Sequence, residues 1–248
     1  MPRILLEVCV ASVDDALAAA AGGAGRLELN AALPLGGLTP TAGLLAEVVA
    51  RVPVPVVAMV RPRPGGFAYS ATDFDVMLRD ASALLNGGAA GLAFGVLLPN
   101  GEVDIPRCRR LRDLCGDRDA VFHRAFDVTP DPVATVETLI ELGFRRVMTS
   151  GQEESAYNGI PRIAELIRVA AGRIEILPAG GINRFTVADI VARTGCDQVH
   201  ASLRTSFHDT SVLARPRVAF GSAVRSSEDR FEGTSEAAVR QLFESLNG

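Results

Sequence analysis

The stretch ILLEVCV (4–10) has the aliphatic and β-branched residues of a buried strand, and a helical pattern follows it directly. This strand-then-helix unit occurs eight times, about every 22 to 35 residues along the 248-residue chain. The later strand runs are RLEL (26–29), PVVAMVR (55–61), AGLAFG (90–95), AVFHR (120–124), RVMTS (146–150), IEILPAGG (174–181) and QVHAS (198–202). Alternating strands and helices predict a parallel α/β sheet, and eight units in about 250 residues are typical of a (β/α)8 TIM barrel.

The chain is predicted to be one TIM-barrel domain, residues 1–248, because no low-complexity linker divides it. Three connections, 30–38, 62–72 and 203–233, are longer than barrel loops usually are. All three follow strands and therefore belong to the C-terminal face of the barrel, where barrels carry their working residues. A last helix is expected at about 234–246.

Helix starts are marked by residues that cap an N-terminus. Ser12 precedes the first helical run, and Thr39 with Pro40 and Asp131 with Pro132 form N-cap and N1 pairs. These positions predict where three of the helices begin.

Composition excludes several classes of function. The net charge is -4 with mixed signs, so no basic surface favours nucleic acid, and no run of 18 apolar residues predicts a membrane span. The start of the chain, MPRILLEV (1–8), lacks the pattern of a secretory signal, and the four cysteines form no CxxC pair. We therefore expect a cytoplasmic protein with reduced cysteines.

Polar side chains stand where barrel strands should be apolar. Both faces of such strands are buried, so charges there are costly unless they are paired or used. The candidates are Glu7, Cys9, Glu28, Arg61, Arg63, His123, Arg124, Asp127, His200 and Ser202. They could form a structural ion-pair network or a pocket for a polar or anionic ligand. The pocket is favoured, because so many strands contribute to the same face.

Two of the three histidines, His123 and His200, lie at strand ends. An imidazole there can act as an acid, a base or a ligand near neutral pH, although a lone buried histidine is often only hydrogen-bonded. Together with Glu28 they are the candidate catalytic residues. The alternation along the fifth strand leaves open whether His123 or Arg124 points inward.

The segment AGGIN (179–183) closes the seventh strand. Its glycines allow backbone N–H groups to approach a ligand, and barrels commonly bind phosphate with the loops after strands seven and eight. The alternative is a tight glycine turn without a ligand. We expect a small anion to bind near Arg61, Arg63 or the Gly180–Gly181 turn.

Long motifs follow one another in a fixed order: LEVCVAS (6–12), RLELNAALPLGGLTP (26–40), VRPRPGGFAYS (60–70), GVLLPNGEVD (95–104), FHRAFDVTPDP (122–132), MTSGQ (148–152), PAGGIN (178–183) and VHAS (199–202). Together they resemble the copper homeostasis protein CutC family, from about residue 4 to 202. The resemblance implies a cytoplasmic barrel, often a homodimer, that binds copper ions and acts in copper homeostasis.

Copper binding would involve Cys9, which matches a cysteine common in that family. Members proposed to bind copper tend to carry a second cysteine just after RLEL, where this chain has Asn30. Cys108 and Cys115 are expected in the core of the fourth helix, and Cys196 lies at the opposite end of the barrel. Cu(I) prefers soft thiolate and thioether ligands, so a site with Cys9 alone is expected to be weak.

Two functions therefore stay open. The chain could act in copper homeostasis as a binder, as the resemblance implies. It could instead be an enzyme acting on a small anionic or phosphorylated metabolite. In that case Arg61 and Arg124 would hold the anion, Glu28 and His123 would be the acid–base pair, and Gly180–Gly181 would contact the phosphate or carboxylate. A purely structural scaffold is the least favoured alternative.

Overall fold

A computed structural model describes residues 3–215, 217–218, 220 and 228–247. The barrel strands are β1 Leu5–Val10, β2 Arg26–Leu29, β3 Val56–Met59, β4 Gly91–Phe94, β5 Asp119–Phe122, β6 Arg146–Thr149, β7 Glu175–Pro178 and β8 Gln198–Ala201. Neighbours pair in parallel in chain order from β1 to β7, and β8 pairs with β1. A single parallel bridge between Ala179 and His200 brings β7 and β8 together. The predicted (β/α)8 barrel is confirmed.

The helices surround the barrel. Within the described residues they are α1 Val13–Ala21, α2 Ala42–Val49, α3 Ala71–Asn86, α4 Ile105–Cys115, α5 Pro132–Glu141, α6 Ile160–Ala170, α7 Val187–Thr194 and α8 Glu236–Asn247. On α3 the buried face carries Phe74, Met77, Ala81 and Leu85, which have the spacing of an amphipathic helix. None of the helices in the described ranges is both long enough and apolar enough to cross a lipid bilayer.

Two of the three predicted helix starts are confirmed. Ser12 accepts a hydrogen bond from the Asp15 N–H at 3.0 Å, and Asp131 caps α5 in the same way. The start predicted at Thr39 and Pro40 is wrong, because Thr41 caps α2. The Thr39 hydroxyl instead accepts from the Arg61 N–H at 2.9 Å, so it fastens the end of β3 to the loop after β2.

The segment predicted as a loop at 203–233 contains an antiparallel hairpin. Its strands are β9 Arg204–His208 and β10 Arg230–Thr234, and the rings of Phe207 and Phe231 stack at 5.6 Å between centroids. Residues 216, 219 and 221–227 of this segment lie outside the described residues. The hairpin follows β8 directly, so it brings Arg204 to the C-terminal face of the barrel.

Charged side chains fill the interior of the barrel toward its N-terminal end. Arg26 donates to Glu7 and, at 2.7 Å, to Gln198. Arg146 donates to Gln198 at 3.0 Å and to Glu175 at 2.8 Å. This interior network consists of Glu7, Arg26, Asp119, Arg146, Glu175 and Gln198. Its acids are paired with guanidinium groups, as buried charges must be to stay ionised.

Loss of one partner from the interior network should be costly. We expect Arg26→Met to lower the free energy of unfolding by about 3–5 kcal/mol, because it leaves the Glu7 carboxylate buried without its cation. Urea unfolding measures this. Arg51→Met is the matched control, since Arg51 pairs with Glu47 on the exposed surface of the chain and such pairs contribute little. Equal effects of the two substitutions would show that the network does not hold the barrel interior together.

Candidate functional site

A cavity of about 690 Å³ opens at the C-terminal ends of the strands. Ten residues that the sequence analysis named line it: Cys9, Glu28, Arg61, His123, Arg124, Asp127, Gly180, Gly181, His200 and Ser202. They come from β1, β2 and β8 and from the loops that follow β3, β5, β7 and β8, so polar side chains from several strands converge here. His123 and Arg124 both line the cavity, because β5 ends at Phe122 and a short 3-10 helix begins at Arg124.

Glu7 does not line the cavity, although the sequence analysis placed it there. It lies deeper in the barrel, where Arg26 contacts one carboxylate oxygen and His200 Nδ1 lies 2.8 Å from the other. The reason is its position in the middle of β1, one inward position before Cys9. Glu7 therefore connects the interior network to a histidine of the cavity.

Arg63 also lies away from the cavity. Its guanidinium donates to Asp73 at 3.1 Å and to the Ala68 carbonyl at 2.8 Å, and it covers the ring of Tyr69. The alternation of inward and outward side chains holds only within a strand, and β3 ends four residues earlier, at Met59. The alternation therefore does not extend to Arg63, and the placement of Arg63 in the cavity is wrong.

Arg61 holds the walls of the cavity together. Its Nη1 lies within 3.2 Å of the carbonyl oxygens of Leu35, Gly36 and Gly37, and its Nη2 donates to the Gly65 carbonyl at 2.8 Å. These carbonyls belong to the loops after β2 and β3. Its Nε is buried and finds no hydrogen-bond partner among the described residues. The guanidinium is thus fixed in place by its ends, and one donor is left over.

Glu28 and His200 lie close together in the cavity wall. His200 Nε2 lies 4.0 Å from a Glu28 oxygen, and Asn30 donates to that oxygen at 2.9 Å. The second oxygen of Glu28, Oε1, is buried without a hydrogen-bond partner among the described residues. One carboxylate oxygen is therefore positioned by the protein and the other is uncommitted.

The surroundings move the pKa values of this pair. Burial raises the pKa of Glu28, and the neighbouring Glu7 carboxylate raises it further against the opposing effect of His200. Burial alone would lower the pKa of His200, but contacts with Cys9, Glu7 and Glu28 outweigh it and raise this pKa well above its ordinary value. Burial would likewise raise the pKa of Glu7, yet Arg26 and His200 lower it. Near neutral pH the imidazolium thus lies between two carboxyl groups.

His123 is neutral, in contrast to the protonated His200. Its Nδ1 accepts the Ala125 N–H at 3.2 Å, so the neutral ring carries its proton on Nε2. Nε2 is buried and has no partner among the described residues. Burial and the nearby charge of Arg61 lower the pKa of His123 to about 3. The ring is therefore a neutral hydrogen-bond donor and not a titrating base.

One corner of the cavity, referred to below as the anion corner, is formed by Arg124 and the turn after β7, where an anion is expected to bind. The Arg124 side chain is 44% exposed; its Nε donates to Asp127 at 2.7 Å and its Nη2 to the Ser150 hydroxyl at 2.9 Å. Its Nη1 lies against Gly180, where a Cβ atom would be only 3.4 Å away. Gly180 and Gly181 have φ of 105° and 67°, which favours glycine at both positions. No hydrogen bond within the described residues uses the N–H of Gly181 or of Ile182.

Asp127 lines the cavity, but its oxygens are committed to the protein. They accept from the Thr149 hydroxyl at 2.5 Å and from the N–H groups of Ser150 and Gln152, besides Arg124. Asp127 thus joins the loops after β5 and β6 and orients Arg124.

Soft metal ligands are present but dispersed. Cys9 is buried in the cavity wall next to His200. Met59 and Met148, which the sequence analysis did not consider, also line the cavity. The two methionines belong to separate apolar clusters, and neither cluster includes Cys9. A Cu(I) site needs such donors around one point, so these residues fit copper poorly.

A second group, of harder donors, comes close enough to hold a metal ion. Atoms of Glu7, Glu28 and His200 lie within 4.8 Å of one another. Both oxygens of Glu7 are already engaged, by Arg26 and by His200 Nδ1. Only Glu28 and His200 Nε2 could then reach a metal, beside a cation, so this group also fits a metal poorly.

The tautomer of His123 can be observed directly. We expect it to stay neutral with the proton on Nε2 from about pH 5 to 8, while His200 stays protonated near neutral pH. Long-range ¹H–¹⁵N NMR spectra measure both, with His123→Gln to assign the signals. Because its pKa is lower in the folded than in the unfolded protein, His123 should also reduce stability as the pH falls from about 6.5. A His123 signal that titrates near its ordinary pKa would contradict the geometry.

Comparison with known proteins places this chain in a family. The CutC family model matches residues 4–205. A CutC family protein of Treponema denticola is 44% identical over 246 residues, which cover 99% of this chain and 100% of the relative. A human protein named copper homeostasis protein cutC homolog is 41% identical over 238 residues, covering 96% of this chain and 87% of the relative.

Solved structures agree with this placement. The crystal structure of the copper homeostasis protein CutC from Streptococcus agalactiae is 30% identical and has a TM-score of 0.76, covering 79% of this chain and 97% of that one. The phosphoribosylanthranilate isomerase of Thermotoga maritima, with 14% identity and a TM-score of 0.56, shares the barrel fold alone. The chain belongs to the CutC family.

Proposed function

We propose that this protein is an enzyme that binds a small anionic, in particular a phosphorylated, metabolite in the barrel mouth and moves protons on it. One observation carries the proposal. Four residues that line the cavity each hold a buried polar atom without a hydrogen-bond partner among the described residues: Glu28, Arg61, His123 and, on the hairpin, Arg204, whose Nη1 lies 3.9 Å from Asp15. Such an atom costs about 1–3 kcal/mol of stability when nothing pairs with it. A bound ligand would supply the missing partners.

The anion would occupy the corner between Arg124 and the Gly180–Gly181 turn. Arg124 offers a partly exposed guanidinium already oriented by Asp127. The N–H groups of Gly181 and Ile182 add neutral donors, as at other phosphate sites after the seventh strand of barrels. Charge-assisted hydrogen bonds of this kind are the strong ones, and they suit a phosphate or a carboxylate.

Proton transfer would fall to Glu28 and His200. Glu28 has a free oxygen, and burial raises its pKa above the ordinary value, which makes its carboxylate a stronger base. His200, kept protonated by Glu7, would stabilise the ionised Glu28 and supply a proton. The sequence contains no lysine, so the cavity holds no side-chain amine that could form a Schiff base with a carbonyl substrate.

The anion corner can be tested with inorganic phosphate. We expect Arg124→Gln to weaken phosphate binding at least about ten-fold, equivalent to about 1.4 kcal/mol, because a charge-assisted hydrogen bond is lost. Isothermal titration calorimetry measures the affinity. Arg63→Gln is the matched control, since Arg63 is a neighbouring arginine of the same face whose side chain lies outside the cavity, and it should leave the affinity unchanged. Equal losses in both variants, or no binding to the unsubstituted protein, would remove the support for this corner.

Copper binding in copper homeostasis is the second candidate function. Two observations favour it: relatives carry the name copper homeostasis protein, and Cys9 lies next to His200. Against it stands the dispersal of the soft donors in the cavity wall. The two candidate functions are compatible if the protein acts in copper homeostasis through a metabolite that it binds, without binding copper itself.

A copper titration separates the two candidates. We expect Cu(I) to bind weakly compared with a dithiolate site, and Cys9→Ser to change stability more than copper affinity, because one thiol cannot supply two soft donors. Competition against a Cu(I) chelator measures the affinity, with Cys108→Ser in the core of α4 as the control. Tight stoichiometric binding that Cys9→Ser abolishes would make copper the ligand of this cavity.

The cytoplasmic location and the homodimer stay predictions. Two aromatic side chains of the hairpin, Phe207 and Phe231, are exposed and could contact a second copy of the chain. Measurement of the oligomeric state tests this.

A further inference from the structure

Two unpaired donors lie on one side of the cavity. Arg61 Nε and His123 Nε2 are both N–H groups, both buried, and both without a partner among the described residues. Both side chains also pack on Phe67. The Arg61 guanidinium lies 5.2 Å from the centre of that ring, and the His123 ring centre lies 5.1 Å from it. The positive charge of Arg61 also contributes to the low pKa of His123.

Both donors are held in place before any ligand arrives. The ends of the Arg61 guanidinium are fixed by carbonyls of two loops. The His123 ring is fixed by the Ala125 N–H at Nδ1 and by the aromatic rings of Phe67 and Phe122. Donors that are fixed in place stabilise a developing negative charge on oxygen more than mobile donors do. They therefore have the properties of an oxyanion-binding pair.

Glu28 supplies a hydrogen-bond acceptor to complement these two donors. Its Oε1 is an unpaired acceptor from β2, whereas His123 follows β5, so acceptor and donors come from different parts of the barrel wall. The anion corner at Arg124 gives a third point. A ligand that satisfies all three would carry a phosphate or carboxylate, an oxygen that accepts two hydrogen bonds, and a proton that a carboxylate can take.

We propose that Arg61 and His123 bind the carbonyl oxygen of a phosphorylated aldehyde or ketone, and that Glu28 removes a proton from the carbon beside that carbonyl. This inference rests on the proposed function, and it names the substrate class and the reaction class of the same cavity. The products would be isomers or epimers of the substrate.

The step balances without any further reactant. The Glu28 carboxylate takes the proton, and the electron pair of the broken C–H bond forms a carbon–carbon double bond. The carbonyl π pair moves to the oxygen, which becomes an enolate held by the N–H groups of His123 and Arg61. Return of the proton to the other face of the same carbon epimerises the substrate. Where that carbon carries a hydroxyl group, the hydroxyl proton moves to the enolate oxygen and a new carbonyl forms at that carbon. The electron pair of the carbon–carbon double bond then takes the Glu28 proton at the former carbonyl carbon, which isomerises the substrate. A neutral histidine is suited to this role, since it donates a hydrogen bond without losing a proton at neutral pH.

The chemistry of the described side chains favours this class of carbonyl reaction over covalent catalysis. Schiff-base formation needs an amine, and the sequence has no lysine. Enolisation needs only a base, a fixed pair of donors and a site that holds the anionic end of the substrate.

Calorimetry with two phosphorylated probes tests the inference. Phosphoglycolohydroxamate resembles the planar enediolate, whereas glycerol 3-phosphate has a similar size but no carbonyl. We expect the hydroxamate to bind at least about ten-fold tighter to the unsubstituted protein, because transition-state-like anions bind more tightly than ground-state analogues. His123→Phe should remove this preference and leave the affinity for glycerol 3-phosphate within about two-fold. His123→Gln, which keeps an amide N–H, should retain part of the preference, and thermal unfolding checks that both variants are folded.

The outcomes distinguish a failure of the oxyanion-binding pair from a failure of the proposed anion site. Equal binding of the two probes to the unsubstituted protein, or a preference that survives in folded His123→Phe, would overturn the oxyanion pair and leave the anion site standing. Failure of both probes and of inorganic phosphate to bind would overturn the proposed function, and this inference with it. If neither variant folds, the ratio of affinities in the unsubstituted protein decides alone.

Discussion

Glu7 carries a negative charge inside the barrel, and its two carboxylate oxygens are shared between Arg26 and His200. Without the guanidinium, a carboxylate so far from water would take up a proton, because desolvation disfavours the ionised form. With Arg26 in place it stays ionised and holds His200 protonated. The imidazolium in turn lies beside Glu28 in the cavity wall. The protonation state of the candidate site thus depends on an ion pair, Glu7–Arg26, that does not line the cavity.

The cavity therefore combines two different electrostatic environments. On one side, Glu28 and His200 are linked through Glu7 to a network that spans the barrel interior. On the other, Arg61 and His123 lie against aromatic rings, and the histidine there is neutral. Hard oxygen and nitrogen groups converge in this space, while the thiol of Cys9 and the thioethers of two methionines remain apart. Such an arrangement suits an organic anion better than a soft metal ion.

The fold could be read from the sequence because each strand is buried on both faces, which gives eight short apolar runs at regular intervals. The cavity residues Glu28, Arg61, His123 and His200 could be found for the same reason, since a charge in a buried strand is conspicuous. Glu7 was expected to line the cavity but lies deeper in the barrel. The alternation along a strand shows whether a side chain points inward, but not how far it lies from the C-terminal end of the barrel. The alternation also failed at Arg63, beyond the end of β3.

Other parts could not be read at all. Arg26 and Arg146 begin their strands, at the end of the barrel away from the expected site. No spacing or motif in the sequence pairs them with Glu7 or Glu175. The hairpin β9–β10 was hidden in an Arg- and Ser-rich segment whose strands are mostly exposed, so it lacks the apolar signal of the barrel strands. Whether a buried atom such as His123 Nε2 lacks a hydrogen-bond partner depends on the groups that surround the ring, and only the three-dimensional structure shows these groups.

The central claim is that the barrel mouth binds an organic anion and not copper. Crystals grown anaerobically with both Cu(I) and phosphate, with diffraction data collected at the copper absorption edge, test it most directly. We expect a phosphate in contact with Arg124 and the N–H groups of Gly181 and Ile182, and no anomalous copper signal in the cavity. A copper peak between Cys9 and His200, with the anion corner free of phosphate, would contradict the account.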